Sequence, residues 1–159
     1  MRWLWLSALV FVLDQVTKQV AEATLLVFER VPVLPVFNLT LAYNEGAAFS
    51  FLSDQGGWQR WFFVVLGIGV VLALINWLRR LQPHELQLAI ALSLIIGGAL
   101  GNISDRLLFG HVIDFLDFHW GNRHWPAFNL ADSAIFLGVF LIILDALFPG
   151  RRTDDRNKQ

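Results

Sequence analysis

WFFVVLGIGVVLALINWL, residues 61–78, is followed by RRLQPHE, residues 79–85, and then by LQLAIALSLIIGGALGNIS, residues 86–104. Neither apolar run carries a charge. A bilayer core of about 30 Å needs roughly 17–25 mostly apolar residues per helix, so each run can cross it, and the short polar link makes the two an antiparallel hairpin. Working outward, two more runs of this kind appear. One extends from Trp3 to about Val20, interrupted by Asp14 and Lys18; the other extends from about Trp125 to Leu144 and contains Asp132. Composition agrees: 56% of the 159 residues are hydrophobic and 16% charged, with a mean hydropathy of +0.56, whereas a soluble domain carries about 25% charged residues. The expected fold is an α-helical integral membrane protein, one domain over residues 1–150. Its four transmembrane helices are expected at about 3–20, 61–78, 86–104 and 125–144, with a polar tail over 151–159.

Orientation follows from the basic residues, which short cytoplasmic loops retain. Arg2, Arg79, Arg80, Arg151, Arg152, Arg156 and Lys158 fall on the side that holds both termini, so that side is expected to be cytoplasmic. The segments of roughly 21–60 and 105–124 then face outward. Every tryptophan (Trp3, Trp5, Trp58, Trp61, Trp77, Trp120 and Trp125) lies at a predicted span end, where aromatic belts form. A cleavable signal peptide ending at Ala21-Glu22-Ala23 is the competing reading of the first segment. Asp14, Gln15 and Lys18 make too long and too charged a spacer for it.

Between the first two spans, Val31 to Tyr43 alternates, with Phe37, Leu39, Leu41 and Tyr43 on one side and Asn38, Thr40 and Ala42 on the other. Period two predicts a strand, so a small extracytoplasmic β-cradle is expected over about 27–52, against the bilayer surface or an extended ligand. In the third span Gly97 and Gly101, flanking Gly98 and Ala99, form a small-residue face for close helix packing.

Much chemistry is excluded. With no cysteine there is no thiolate nucleophile, disulfide or Cys-ligated zinc. A net charge of −1 leaves no basic footprint for nucleic acid. No HExxH or GxSxG motif occurs, and His84-Glu85 lacks its second histidine. His111, His119 and His124 form a loose outward group with Asp117, read as interfacial polar residues rather than metal ligands. A Ser/Lys dyad would need Lys18, but Asp14 lies one helical turn earlier and pairs with it.

What remains is a set of carboxylates at membrane depth, costly there and therefore functional candidates. Asn102, Asp105 and Arg106 share a helix face, where Arg106 can pair with Asp14 or Asp105. Asp14, Lys18 and Asp105 read as a buried ion-pair network holding helices together. Asp114, in Val112-Ile113-Asp114-Phe115-Leu116, and Asp132, in Asn129-Leu130-Ala131-Asp132-Ser133, have no basic residue at helical spacing. Brought together in a dry site, two carboxylates cannot both ionise, so they can supply a general base and a general acid without metal or cofactor. The residues alone leave two functional readings of these aspartates, a hydrolytic dyad and a small transporter or proton channel. A non-catalytic membrane scaffold is a third.

Five stretches resemble the lipoprotein signal peptidases, the aspartic signal peptidases II of bacteria, in order and spacing: Asp14-Gln15-Val16-Thr17-Lys18, Asn44-Glu45-Gly46-Ala47-Ala48-Phe49-Ser50, Gly101-Asn102-Ile103-Ser104-Asp105-Arg106, Val112-Ile113-Asp114-Phe115, and Phe128-Asn129-Leu130-Ala131-Asp132-Ser133. The resemblance implies cleavage of a prolipoprotein's signal peptide on the N-terminal side of its diacylglyceryl-modified cysteine, in the bacterial inner membrane near the outer leaflet. It implies Asp114 and Asp132 as the catalytic pair, Asn44, Gly46, Asn102, Arg106 and Asn129 as substrate-binding residues, and Asp14, Lys18 and Asp105 as structural support. Lipid-modified precursors and membrane lipids are the expected partners of a monomer, with no nucleic acid, metal or cofactor called for.

Overall fold

A computed structural model describes residues 3–46 and 57–148. The elements run α1 (Leu4–Thr24), β1 (Arg30–Leu34), β2 (Phe37–Asn44), α2 (Trp58–Arg80), α3 (Leu86–Leu108), β3 (Val112–Trp120), β4 (Arg123–His124) and α4 (Leu130–Leu147). All four helices are long and apolar enough to span a membrane. Their loops run back and forth, so the sheet gathers at one end of the bundle and the Leu81–Glu85 link lies at the other.

The central helix is α3, which packs on each of the other three. Glycine makes this possible. A Cβ on Gly97 would lie 2.6 Å from the Ser7 carbonyl of α1, and one on Gly98 would collide with the Ala131 carbonyl of α4. Two neighbouring backbones therefore approach α3 within the space of a missing methyl group, as small-residue membrane interfaces do. The α2 side is filled by aliphatic packing of Val64, Val71 and Leu78 against Leu92, Ile96 and Ile103. Large apolar side chains on the outer faces, such as Val65, Leu72 and Phe140, are exposed and left for lipid.

Both long connections contribute to one antiparallel sheet, ordered β1-β2-β3-β4. This differs from the expected cradle, which drew only on the segment between spans one and two. The run Val112–Trp120 is rich in β-branched and aromatic residues, which favour a pleated, half-buried surface, and it supplies the strand against which β2 pairs. The alternation in β2 is also altered. Asn38 and Thr40 are buried because Asn38 Nδ2 donates to Asp117 (2.8 Å) and the Thr40 hydroxyl donates to the Glu29 carbonyl (2.7 Å). A bulge between Leu39 and Ala42 then turns Leu41 inward.

Helix ends differ from the expected spans. The first helix continues past Val20 to Thr24, α2 extends over Trp58–Arg80, and α3 extends past Ser104 to Leu108. The fourth begins at Leu130 rather than Trp125, since Asn129 caps it and Trp125 to Phe128 form a strap bridged to β3 at Leu116–Phe128. Residues 47–52 of the expected cradle, the tail over 151–159 and Arg2 lie outside the described residues.

Candidate active site

Where the sheet meets the helix ends, a cleft of about 910 Å³ opens, within the ~300–1,000 Å³ of small-ligand sites. Asn44, Asn102, Arg106, Asp114, Asp132 and Ser133 make its polar part. Phe28, Tyr43, the Trp125–Phe128 strap and the α4 residues Ile135, Phe136 and Val139 make its apolar walls.

Asp132 stands at the third position of α4. The Asn129 side chain accepts from the Asp132 amide (2.9 Å), while Asp132 Oδ2 accepts from the Asn129 amide (3.3 Å), a capping box that fixes the carboxylate at the positive end of the helix. Asp114 stands on β3 opposite Ala42 of β2. Two asparagines join the acids. Asn129 Nδ2 donates to Asp114 Oδ1 (2.7 Å) and lies 3.2 Å from Asn102 Oδ1; Asn102 Nδ2 donates to Asp132 Oδ1 (2.7 Å). The other Asp114 oxygen accepts from Asn44 Nδ2 (3.1 Å). Burial and the neighbouring Asp132 charge push the Asp114 carboxyl up from its ordinary 3.8 to about 7, against the lowering effect of the Asn44 and Asn129 hydrogen bonds.

The orientation of Asn102 has a definite cause. Lys18 Nζ donates to Asn102 Oδ1 (3.0 Å), and an ammonium group can only donate, so the amide must turn its N–H groups toward Asp132. Lys18 is wholly buried and bridges Asp14 and Asp105, each at 2.8 Å. Arg106, expected to pair with one of those two acids, does not. Its Nη2 donates instead to the Gly46 carbonyl (2.7 Å), its Nη1 to the Asn102 carbonyl (3.3 Å), and its guanidinium lies over the Phe63 ring.

The far oxygens of the ion triad grip the site. Asp14 Oδ1 accepts from the Ala131 amide (2.8 Å) and Asp105 Oδ2 from the Ile113 amide (3.2 Å). Ala131 and Ile113 immediately precede Asp132 and Asp114. Asp14 and Asp105 each hold the backbone one residue before a cleft aspartate. Gln15, to which the sequence assigned no role, donates to Asp105 Oδ1 (2.8 Å) and braces the triad.

Of the residues expected to bind substrate, Asn44, Asn102 and Arg106 line the cleft. Asn129 is completely buried, and its Nδ2 faces Asp114, Asn102 and the Ile113 carbonyl. Gly46 is also buried. Its amide donates to Asn44 Oδ1 (3.1 Å), and its carbonyl receives Arg106. Of the three outward histidines, two gather at Asp117 and one stands apart. His111 packs on Tyr43, whereas His119 stacks on His124, whose Nδ1 meets Asp117 at 2.8 Å. Burial alone would raise Asp117, but hydrogen bonds from Asn38 and His124 and the nearby Arg30 hold it below the usual carboxylate range. The apolar walls were missed, because an aliphatic or aromatic residue in an apolar chain carries no local signal. The start of α4 did carry one, the Asn129-Leu130-Ala131-Asp132 capping box.

The family model described as signal peptidase (SPase) II matches residues 6–148. The chain belongs to the signal peptidase II family. A relative from Aeromonas hydrophila called lipoprotein signal peptidase is 56% identical over 156 residues, covering 97% of this chain and 93% of that one. One of the same name from Pseudomonas aeruginosa is 55% identical over 145 residues, covering 90% and 86%. Among solved structures, a bacterial membrane enzyme determined by the in meso method at 2.3 Å resolution superposes with a TM-score of 0.82 at 34% identity, covering 99% of this chain and 92% of that one. The chain thus shares the neighbour's fold along almost its whole length, sheet and helices together.

Proposed function

We propose that the chain is a membrane aspartic endopeptidase that cleaves the signal peptide of prolipoproteins on the N-terminal side of the diacylglyceryl-modified cysteine, with Asp114 and Asp132 as the catalytic pair. The observation that carries this is the shared asparagine bridge. Each carboxylate is one hydrogen bond from Asn129, both face the same cleft, and none of their direct partners among the described residues is a cation. Such a pair retains one proton near neutral pH. The ionised member takes a proton from water, whose oxygen attacks the scissile carbonyl. The protonated member supplies its proton to the carbonyl oxygen, and on collapse of the tetrahedral intermediate a proton reaches the leaving amine. The assignment of base and acid belongs to the pair rather than to either residue.

The remaining cleft residues serve this reaction. Asn44 and Asn102 hold the carboxylates and leave the cleft-facing side of each amide for the substrate backbone. Arg106 organises the cleft wall through Gly46, and its fixed positive charge favours the singly ionised pair. Membrane geometry fits the substrate. Helices that place the pair at the bilayer end, with termini on the cytoplasmic side as the basic residues imply, bring it to a peptide bond beside a lipid-anchored residue at the outer leaflet of the inner membrane. The test is direct: purified protein is offered a diacylglyceryl-modified precursor and the product is mapped by mass. Wild type is expected to release the peptide ending just before the modified cysteine, and Asp132→Asn to release none. Undiminished cleavage by Asp132→Asn removes the dyad, and cleavage elsewhere removes the assigned position.

A further inference from the structure

None of the described cleft-lining residues belongs to α2, yet the start of this helix reaches toward the cleft. Arg60 Nη2 donates to the Leu107 carbonyl near the end of α3 (2.8 Å). About one turn on, the Phe63 ring lies with its centroid 5.2 Å from the Arg106 guanidinium carbon. The ring is held from its own side: Phe62 meets it edge-on at 5.3 Å, and the next residue, Val64, is buried in the packing of α2 against α3. Helix packing, not the cleft, therefore sets where the ring points.

Arg106 is short of such supports. A guanidinium carries five N–H donors, and those of Arg106 bond two backbone carbonyls, Gly46 at 2.7 Å and Asn102 at 3.3 Å, while Nε is buried with no partner. No described carboxylate lies within ion-pair distance of it, although the Asp132 and Asp114 charges act on it through space. Two bonds of unequal length leave a long side chain free to turn toward those acids, where a charge-assisted pair would be stronger than either bond to a neutral carbonyl. A ring against the flat face of the guanidinium opposes that turn. Its negative face attracts the cation, more strongly where water is scarce, and stacking fixes the plane of the fork.

We infer that Phe63 is a positioning residue for the cleft chemistry: its ring clamps the Arg106 guanidinium onto the Gly46 carbonyl and keeps it from pairing with Asp114 or Asp132. The inference rests on the proposed peptidase reading. It gives α2 a part in the site that neither charge nor polarity marks, since Phe63 is one apolar residue in an uncharged span. An Arg106 released toward the aspartates would supply the cation that they lack and neutralise them as Lys18 neutralises Asp14 and Asp105.

Graded fluorination of Phe63 separates clamping from packing, because each fluorine weakens the negative face of the ring and barely changes its size. With mono-, di- and trifluorinated phenylalanine at this position, kcat/KM on a diacylglyceryl-modified precursor is expected to fall stepwise, about tenfold in all, at an unchanged Tm. Phe63→Leu is expected to lower kcat/KM about tenfold in the wild-type background and less than twofold beside Arg106→Ala, where the ring has no guanidinium to hold. Equal rates across the fluorinated series overturn the inference, as does the same loss from Phe63→Leu in both backgrounds. If wild type cleaves no precursor, the peptidase reading fails by itself, and the NMR resonance of the Gly46 carbonyl carbon then judges Phe63. A shift in Phe63→Leu of the same sign as in Arg106→Ala and at least half its size supports the clamp; a smaller or opposite one overturns it.

Discussion

Asp14 and Asp105 lie in the same polar region as Asp114 and Asp132, all four buried or nearly so at the sheet end of the bundle, yet their partners differ. Asp14 and Asp105 share the Lys18 ammonium at 2.8 Å each, and every remaining contact is a donor from the protein's own frame. Among the described residues, the donors to Asp114 and Asp132 are neutral, asparagine side chains and one backbone amide, and both acids face the cleft. The first pair is neutralised and fixed; the second is left with more charge than its surroundings compensate. Two identical side-chain types thereby acquire different work. The neutralised acids hold the frame, including the backbone just before each of the others, and in the proposed mechanism the uncompensated acids share the proton that chemistry uses.

Substituting Lys18 should break the contrast most severely on the side of stability. In Lys18→Met, Asp14 and Asp105 face one another without a cation, and leaving buried charge unpaired costs about 3–5 kcal/mol. The expected outcome is a large fall in Tm and in yield of folded protein, read by thermal unfolding in detergent. A Tm within a degree or two of wild type would show that the triad is not what holds α1, α3 and α4 together.

Arg106 should fall between the two groups, since it touches the cleft but binds backbone carbonyls. Arg106→Ala is expected to lower kcat/KM about 10²-fold through misplacement of the cleft wall, with a smaller loss of Tm than Lys18→Met. Arg106→Lys recovers part of the rate but not all, since an ammonium cannot span the Gly46 and Asn102 carbonyls as a guanidinium does. Parallel losses of rate and Tm would move Arg106 into the structural group.

The smallest expected effect is the pH dependence. A carboxyl at about 7 in the folded protein against 3.8 when unfolded binds protons on folding between those values. Its contribution to stability therefore declines as pH rises from 3.8 toward 7 and is lowest above. The rate behaves differently: kcat/KM should fall as pH rises past about 7, where the pair loses its last proton. A rate that stays level from pH 6 to 9 would detach Asp114's proton from the reaction.

The membrane fold was legible in the sequence because length and hydropathy are additive properties of a run, and four apolar runs need no partner to be recognised. The aspartates were legible for a related reason, since a charge among apolar residues stands out and Asp14 and Lys18 are one turn apart. Pairing across the chain was not legible. That Lys18 reaches Asp105, 87 positions later, and that Arg106 serves Gly46 rather than Asp14, depend on how three helices and a sheet meet. Strand β3 was obscured by its own composition, since two aspartates and a histidine interrupt the apolar residues of Val112 to Trp120 and leave no clean period-two alternation. Burial of Asn129 was equally hidden, because an asparagine beside an aspartate reads as polar surface until its amide is seen facing inward.

The central claim is that Asp114 does chemistry and not support. Its most direct test is the kcat of Asp114→Asn on a diacylglyceryl-modified precursor, measured beside the variant's Tm. Loss of about 10²–10⁴-fold in kcat with a Tm at or above wild type is predicted, because the amide needs no ionisation in a buried site. Cleavage near the wild-type rate, or a rate lost only in proportion to the folded fraction, would contradict it.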